Sequence, residues 1–146
     1  MIGLLQRVTH AEVSVDGSVI GKIGKGLAVL VAVHRDDDDR DIARLAERLL
    51  GYRVFPDEEG RMSLSVADIS GGLLLVPQFT LTADTKKGTR ASFTKGAPPD
   101  MASDFFDRLV LACRARLDTV ETGSFGANMQ VSLTNDGPVT FWLDTR

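Results

Sequence analysis

The chain has 146 residues, 43% of them hydrophobic and 25% charged, with a formal net charge of −3. That length fits one domain with a real core and leaves little room for a second, and the charge argues against a general nucleic-acid binder. The single cysteine, Cys113, excludes an internal disulfide and fits a reducing compartment. No apolar stretch approaches the roughly 20 residues needed to span a bilayer. "MIGLLQRVTH" lacks the basic-then-apolar order of a signal peptide, so a cytoplasmic protein with no membrane partner is expected.

Residues 4–34 are rich in β-branched side chains and are punctuated by Asp16-Gly17 and Gly24-Lys25-Gly26. The Asp-Gly pair between Val13, Val15 and Val19 predicts a β-hairpin. The run from Leu27 to Val33 is apolar at every position and predicts a strand covered on both faces. A helix follows, opened by Asp36 to Asp39, whose carboxylates complement the helix dipole. Ile42, Leu45, Ala46, Leu49 and Leu50 then recur at helical spacing. Residues 51–66 read as a hairpin around Asp57 to Gly60.

"LLLVPQFTL" (73–81) is less ordinary. Leu73 to Val76 predict a buried strand, yet Pro77 removes a backbone donor and Gln78 buries an amide that needs partners before Phe79, Thr80 and Leu81 resume the apolar pattern. "KKGTRASFTKG" (86–96) follows, with Lys86, Lys87, Arg90 and Lys95, no acid, and Phe93 interleaved. It reads either as a solvated loop or as a phosphate contact. A second helix after "GAPPD" carries Met101, Phe105, Leu109, Ala112 and Cys113 along its stripe. Three strand-like runs end the chain: 119–122, 129–133 and 139–143. Asn135-Asp136-Gly137-Pro138 interrupts the last two and reads locally as a turn. The pattern is α+β: one domain of antiparallel sheet with two packed helices.

The usual catalytic constellations are missing. His10 falls in an expected turn and His34 at a strand end, neither with a carboxylate or Ser at motif spacing. Cys113 lies on an apolar helical stripe, where a free thiol behaves as a small hydrophobe. One Cys and two scattered His cannot supply a zinc site of the common kinds, and no phosphate-cradling Gly-rich motif occurs. No metal or cofactor is predicted.

"QFTL" (78–81), "FGANMQV" (125–131) and "NDGPVT" (135–140) stand in the order and spacing of the D-aminoacyl-tRNA deacylases. "MIGLLQRV" and "ADTKKGTRASFTKGAPP" (83–99) resemble the same family, so the likeness covers essentially the whole chain. The resemblance implies a barrel-like fold and an enzyme that hydrolyses the ester between a D-amino acid and the terminal adenosine of tRNA. It also implies removal of glycine from alanine tRNA. It implies a homodimer in which a cis Gly137-Pro138 pair, oriented by Arg7, enters the partner's pocket and excludes L-side chains. Catalysis in the family is held to be assisted by the 2′-hydroxyl of the RNA. On that reading the amides of Phe79 and Thr80 stabilise the oxyanion, with Gln78 beside them. Phe125 and Pro77 line the adenosine pocket with Met129, for which a plain core position is an equal alternative. Lys86, Lys87 and Arg90 would contact tRNA phosphates. Four positions depart from the family pattern: Pro77 stands where Ser is usual, Ser124 for Arg, Asn128 for Asp and Ala91 for Pro. The loss of that Ser supports one competitor, a nucleic-acid-binding module without chemistry; another, an acyl hydrolase with Thr80 as nucleophile, is disfavoured because no activating base lies within sequence reach of Thr80.

Overall fold

The computed structural model of the protein describes residues 1–146. In chain order it comprises β1 (Ile2–Val15), β2 (Ser18–Ile23), β3 (Gly26–Ala32), α1 (Asp39–Gly51), β4 (Phe55–Pro56), β5 (Met62–Leu64), β6 (Gly72–Pro77), a 3-10 turn (Phe79–Thr82), α2 (Pro99–Arg114), β7 (Val120–Thr122) and β8 (Gln130–Asp144). The main sheet runs β2-β1-β3-β6-β7, with β8 on the other side of β1, while β4 and β5 form a small separate hairpin.

The predicted first hairpin is present. Asp16 and Gly17 have φ of 49° and 80°, the left-handed pair that a tight two-residue turn requires. Strand β1 is long enough to pair β2 near its end, β3 near its start and β8 along most of its length. The sheet curls so that β2 returns over β6 and β7. Gly21 comes so close there that a Cβ would sit 2.9 Å from the Thr122 carbonyl. A nearly closed barrel results.

The α+β class, the barrel-like sheet and the two helices are as expected, but the pairing is mixed. Strand β6 runs parallel to both β3 and β7. The cause lies in the connections: α1 lies between β3 and β6, α2 between β6 and β7, and a helical crossover is what a parallel pair needs. Two further expectations are corrected. His10 lies within β1 rather than in a turn. Residues 130–144 form one strand rather than two, with register shifts against β1 where Asn135 to Val139 bulge out.

Of the four predicted helix-opening acids, Asp38 is the N-cap of α1. It accepts the Arg40 amide at 2.8 Å, while its own amide donates to Asp41 at 2.8 Å, a reciprocal capping box. Asp37 instead turns inward to take the Met1 ammonium at 2.8 Å and the His34 amide at 2.6 Å. The apolar face of α1 is the one predicted. On α2 the buried row is Ala102, Phe106, Leu109, Val110 and Cys113. Met101, Phe105 and Ala112 sit at its flank, half-buried. Two neighbouring rows of α2 satisfy the helical period, and docking on the sheet selects one. The Arg108 guanidinium covers the Phe105 ring at 5.4 Å on the other.

Two apolar clusters meet across β6. Leu73 and Leu75 pack with the helices. Leu74 and Val76 pack with Val8, Val13 and Ala28 on the other face of the sheet. A strand covered on both faces reads as an unbroken apolar run. Because Leu75 is fully buried, Leu75→Ala is expected to lower unfolding stability by about 2–5 kcal/mol, measured by urea denaturation.

Candidate active site

Backbone geometry explains why β6 accepts Pro77. The Leu73 amide donates toward β7, to Thr119 O, and the Gln78 amide donates toward β3, to Val31 O at 2.7 Å. Amides alternate sides along a strand, so the nitrogen of Pro77 faces the β7 side. Pairing with β7 stops at Leu75–Thr122, and the Gly123 amide closes it on Leu75 O at 2.8 Å. The proline therefore removes a donor that has no strand opposite it. Past Pro77 the chain does not resume a strand, as its apolar pattern suggests; it turns into the 3-10 segment Phe79–Thr82. The Thr82 hydroxyl donates to Phe79 O at 2.8 Å and holds that turn closed.

The amides of Phe79 and Thr80 are the first two of this turn, positions that lack a carbonyl partner within it. Neither donates to any loop, cap or turn carbonyl. The side-chain amide of Gln78 donates to the Thr80 hydroxyl. That partner is a donor, not a base, so nothing beside Thr80 is placed to take its proton.

A cavity of about 510 Å³ opens beside the turn, within the usual range for small-ligand sites. Pro77, Gln78 and Phe79 form one wall; Phe125, Asn128 and Met129 are among the residues of the other. Met129 is half-buried there, with its sulfur 3.3 Å from the Ser124 amide. Its two alternative placements, core and pocket, both apply: it packs on the smaller apolar cluster and lines the cavity. The cavity's lining includes no residue of the 135–138 loop.

That loop has a defined shape and is held by Arg7 and Asn135. The Gly137-Pro138 peptide bond is cis, and Gly137 has φ of 137°. A Cβ on Gly137 would lie 3.0 Å from the Val139 nitrogen and 3.2 Å from an Arg7 guanidinium nitrogen, so only glycine fits. Arg7, with a side chain 12% exposed, donates to Asp136 O at 2.9 Å and to Val54 O at 2.6 Å, and pairs with the Asp136 carboxylate at 3.6 Å. Asn135 spans the base of the bulge, accepting the Val139 amide at 2.7 Å and donating to Thr140 at 2.8 Å. Sequence reasoning missed Asn135 and Val54 as supports. The Asn of "NDGP" is a signal for the first; a carbonyl in a distant segment leaves none for the second.

The remaining candidates separate clearly. Lys86, Lys87 and Arg90 are exposed and form no ion pair, whereas Lys95 pairs with Asp84 at 3.3 Å. Burial pushes the Cys113 thiol up to about 12, which leaves it protonated and inert. His34 is buried with neither ring nitrogen hydrogen-bonded. Burial, then the positive charge of Arg146, hold it below the usual imidazole range. It lines none of the space around the 3-10 turn. No group of three or more His, Cys, Asp or Glu is placed to hold a metal ion. No helix is long and apolar enough to cross a membrane.

The chain is similar to known proteins in sequence and in fold. The family model described as D-Tyr-tRNA(Tyr) deacylase matches residues 4–144. A D-aminoacyl-tRNA deacylase of Alkalilimnicola ehrlichii is 60% identical, with 100% of this chain and 97% of the relative covered. The one of Cronobacter sakazakii is 59% identical, with 98% and 99% covered. Among solved structures, the c-Myc DNA Unwinding Element Binding Protein superposes with a TM-score of 0.95 at 37% identity, over 100% of this chain and 99% of the other. Matched from end to end by the family model and by these relatives, the chain belongs to the D-Tyr-tRNA(Tyr) deacylase family and is, by that membership, a D-aminoacyl-tRNA deacylase.

Proposed function

We propose that the enzyme proofreads chirality with main-chain groups. It releases D-amino acids, and glycine from alanine tRNA, by hydrolysing the ester to the terminal adenosine, and it does so in the cytoplasm. The observation that carries this reading is the 3-10 turn that opens with the Phe79 and Thr80 amides, neither bonded to a loop, cap or turn carbonyl, beside a cavity of small-ligand size that Phe79 lines. Donors fixed in a rigid turn suit a developing oxyanion, where losing one typically costs about 3–4 kcal/mol. Phe125 and Met129 receive the adenosine, and Gln78 positions Thr80. With no base beside Thr80, activation of water falls to the 2′-hydroxyl of the adenosine. Lys86, Lys87 and Arg90 meet phosphates of the acceptor end.

Selectivity for hand needs a third contact beside the ammonium and the ester. The Arg7-held loop is rigid enough to supply it, but it lines no part of its own chain's cavity. We therefore assign it to the cavity of a second copy, in a homodimer. Strand β8 supports that assembly: its 15 residues pair only with β1. Its other edge is open, with Val131 and Trp142 exposed, the kind of edge that pairs with another chain. A backbone loop close to Cα clashes with an L-side chain and passes D-side chains and glycine. A discrimination of about 1,000-fold requires about 4 kcal/mol, which steric exclusion supplies more readily than one hydrogen bond.

A second reading, a nucleic-acid-binding module without chemistry on the same fold, is favoured by the name of the solved neighbour at 37% identity, a DNA Unwinding Element Binding Protein. Release assays separate the two. Purified protein is expected to free D-tyrosine from tRNA, and glycine from alanine tRNA, while leaving L-tyrosyl-tRNA intact. Equal rates on both hands would refute exclusion by the loop, and no release at all would favour the binding module.

The division of labour is open to a paired test in single-turnover deacylation. A D-tyrosyl-tRNA whose terminal adenosine lacks the 2′-hydroxyl is expected to be nearly inert. Thr80→Ala should slow the reaction without abolishing it, and Pro77→Ser should change the rate by less than about tenfold, or about 1.4 kcal/mol. A dead Thr80→Ala variant together with normal turnover of the deoxy substrate would make Thr80 the nucleophile.

A further inference from the structure

Two exposed aromatic rings, the first of them at the cavity wall, serve nothing described so far. Phe79 is 61% and Phe93 45% exposed, and their ring centroids lie 5.2 Å apart at an interplanar angle of 55°. Apart from their contact with each other, both rings are left facing water, which forfeits much of the gain from burying them. Phe79 lines the cavity, whereas Phe93 does not; the pair therefore runs from the cavity wall outward. Phe93 is also fixed in place rather than carried on a loose tip. Asp84 and Ser92 exchange both backbone hydrogen bonds, at 2.7 and 3.0 Å, the Gly96 amide donates to Phe93 O, and the Arg35 amide donates to Lys95 O. The exposed cations Lys86, Lys87 and Arg90 lie on the same segment.

We infer that Phe93, with Phe79, is a stacking platform for the base immediately 5′ of the terminal adenosine. This rests on the deacylase reading and adds a specificity subsite to it. A positively charged track with aromatic faces is how single-stranded nucleic acid is held, and stacking tolerates any base. Once the terminal adenosine enters the cavity, the preceding nucleotide lies outside it, on the side where Phe93 stands and where phosphate charge meets the three cations. The platform measures the presence of a polynucleotide, so it favours aminoacyl-tRNA over a lone aminoacyl nucleoside.

The test compares D-tyrosyl-adenosine with D-tyrosyl-cytidylyl-adenosine. Wild type is expected to have a KM at least about tenfold lower for the dinucleotide, as loss of one base–aromatic stack implies. Phe93→Ala and Phe93→Leu are expected to cut that ratio at least about fivefold, as loss of the stack implies, leaving only the share due to the phosphate, and Phe93→Trp is expected to retain it. A second, activity-independent reading uses RNA with 5-iodocytidine before its terminal adenosine. Irradiation is expected to join that base to the peptide carrying Phe93 or Phe79. An unchanged KM ratio in Phe93→Ala, or a crosslink mapping elsewhere, overturns the platform. Failure of wild type to hydrolyse either substrate while the crosslink forms at Phe93 would instead strike the deacylase reading and leave the platform standing.

Discussion

A guanidinium that is almost withdrawn from water must find acceptors, and Arg7 finds them in two segments far apart in sequence. It rises from β1, the strand on which the main sheet is built, and donates to the carbonyls of Val54 and Asp136. Charge-assisted bonds of this kind are the stronger ones, and a fork of donors fixes direction as well as distance. The bulge at 135–139 is thereby tied to the most constrained strand of the fold. Asn135 closes its base, and Gly137 leaves no room for a side chain between the loop and Arg7. Everything ascribed to the loop as a selector of hand depends on this anchoring, because a wedge that yields by an ångström selects nothing.

The second half of the site is anchored by the same sheet. Strand β6 is covered on both faces and paired on both edges until Leu75; after that, β7 ends and the chain is released on one side. Pro77 falls at the first donor position left without an opposite strand, and the 3-10 turn follows with two amides free of the turn's own bonding. A core strand thus delivers main-chain donors to a cavity wall without any ionisable group. On the proposed mechanism that economy has a chemical consequence: stabilisation of charge is supplied by the protein, and proton transfer is left to the substrate.

Most of the fold was legible in the residues. The Asp16-Gly17 hairpin, the apolar run of β3, the face of α1 and the two-sided burial of Leu73 to Val76 follow from period and turn chemistry alone. The parallel pairing of β6 did not, because local pattern does not distinguish a strand paired in parallel from one buried otherwise; the crossover helices decide it. On α2 the expected stripe shares Leu109 and Cys113 with the row that docks, but Met101, Phe105 and Ala112 give way to Ala102, Phe106 and Val110, since two neighbouring rows satisfy one period. Of the site, "QFTL" and "NDGP" drew attention by placing Pro, Gln and Gly inside strand-like runs, where local rules are broken. The contact of Arg7 with Val54 and the tilted contact of Phe79 with Phe93 had no local signature, because each joins segments that only the tertiary fold brings together.

The claim on which the proposed mechanism turns is that one chain's loop completes another chain's cavity. Two variants test it: Gly137→Val, which displaces the loop and so is expected to hydrolyse both hands, and Phe79→Pro, which deletes an oxyanion donor and is expected to be inactive on either. In a mixed two-fold dimer the one working cavity belongs to the Gly137→Val chain and faces the intact loop of the Phe79→Pro chain. Mixed dimers, isolated by a different affinity tag on each chain, are expected to hydrolyse D-tyrosyl-tRNA and to leave L-tyrosyl-tRNA intact. Hydrolysis of L-tyrosyl-tRNA by mixed dimers, as by Gly137→Val alone, would mean that the loop serves only its own chain.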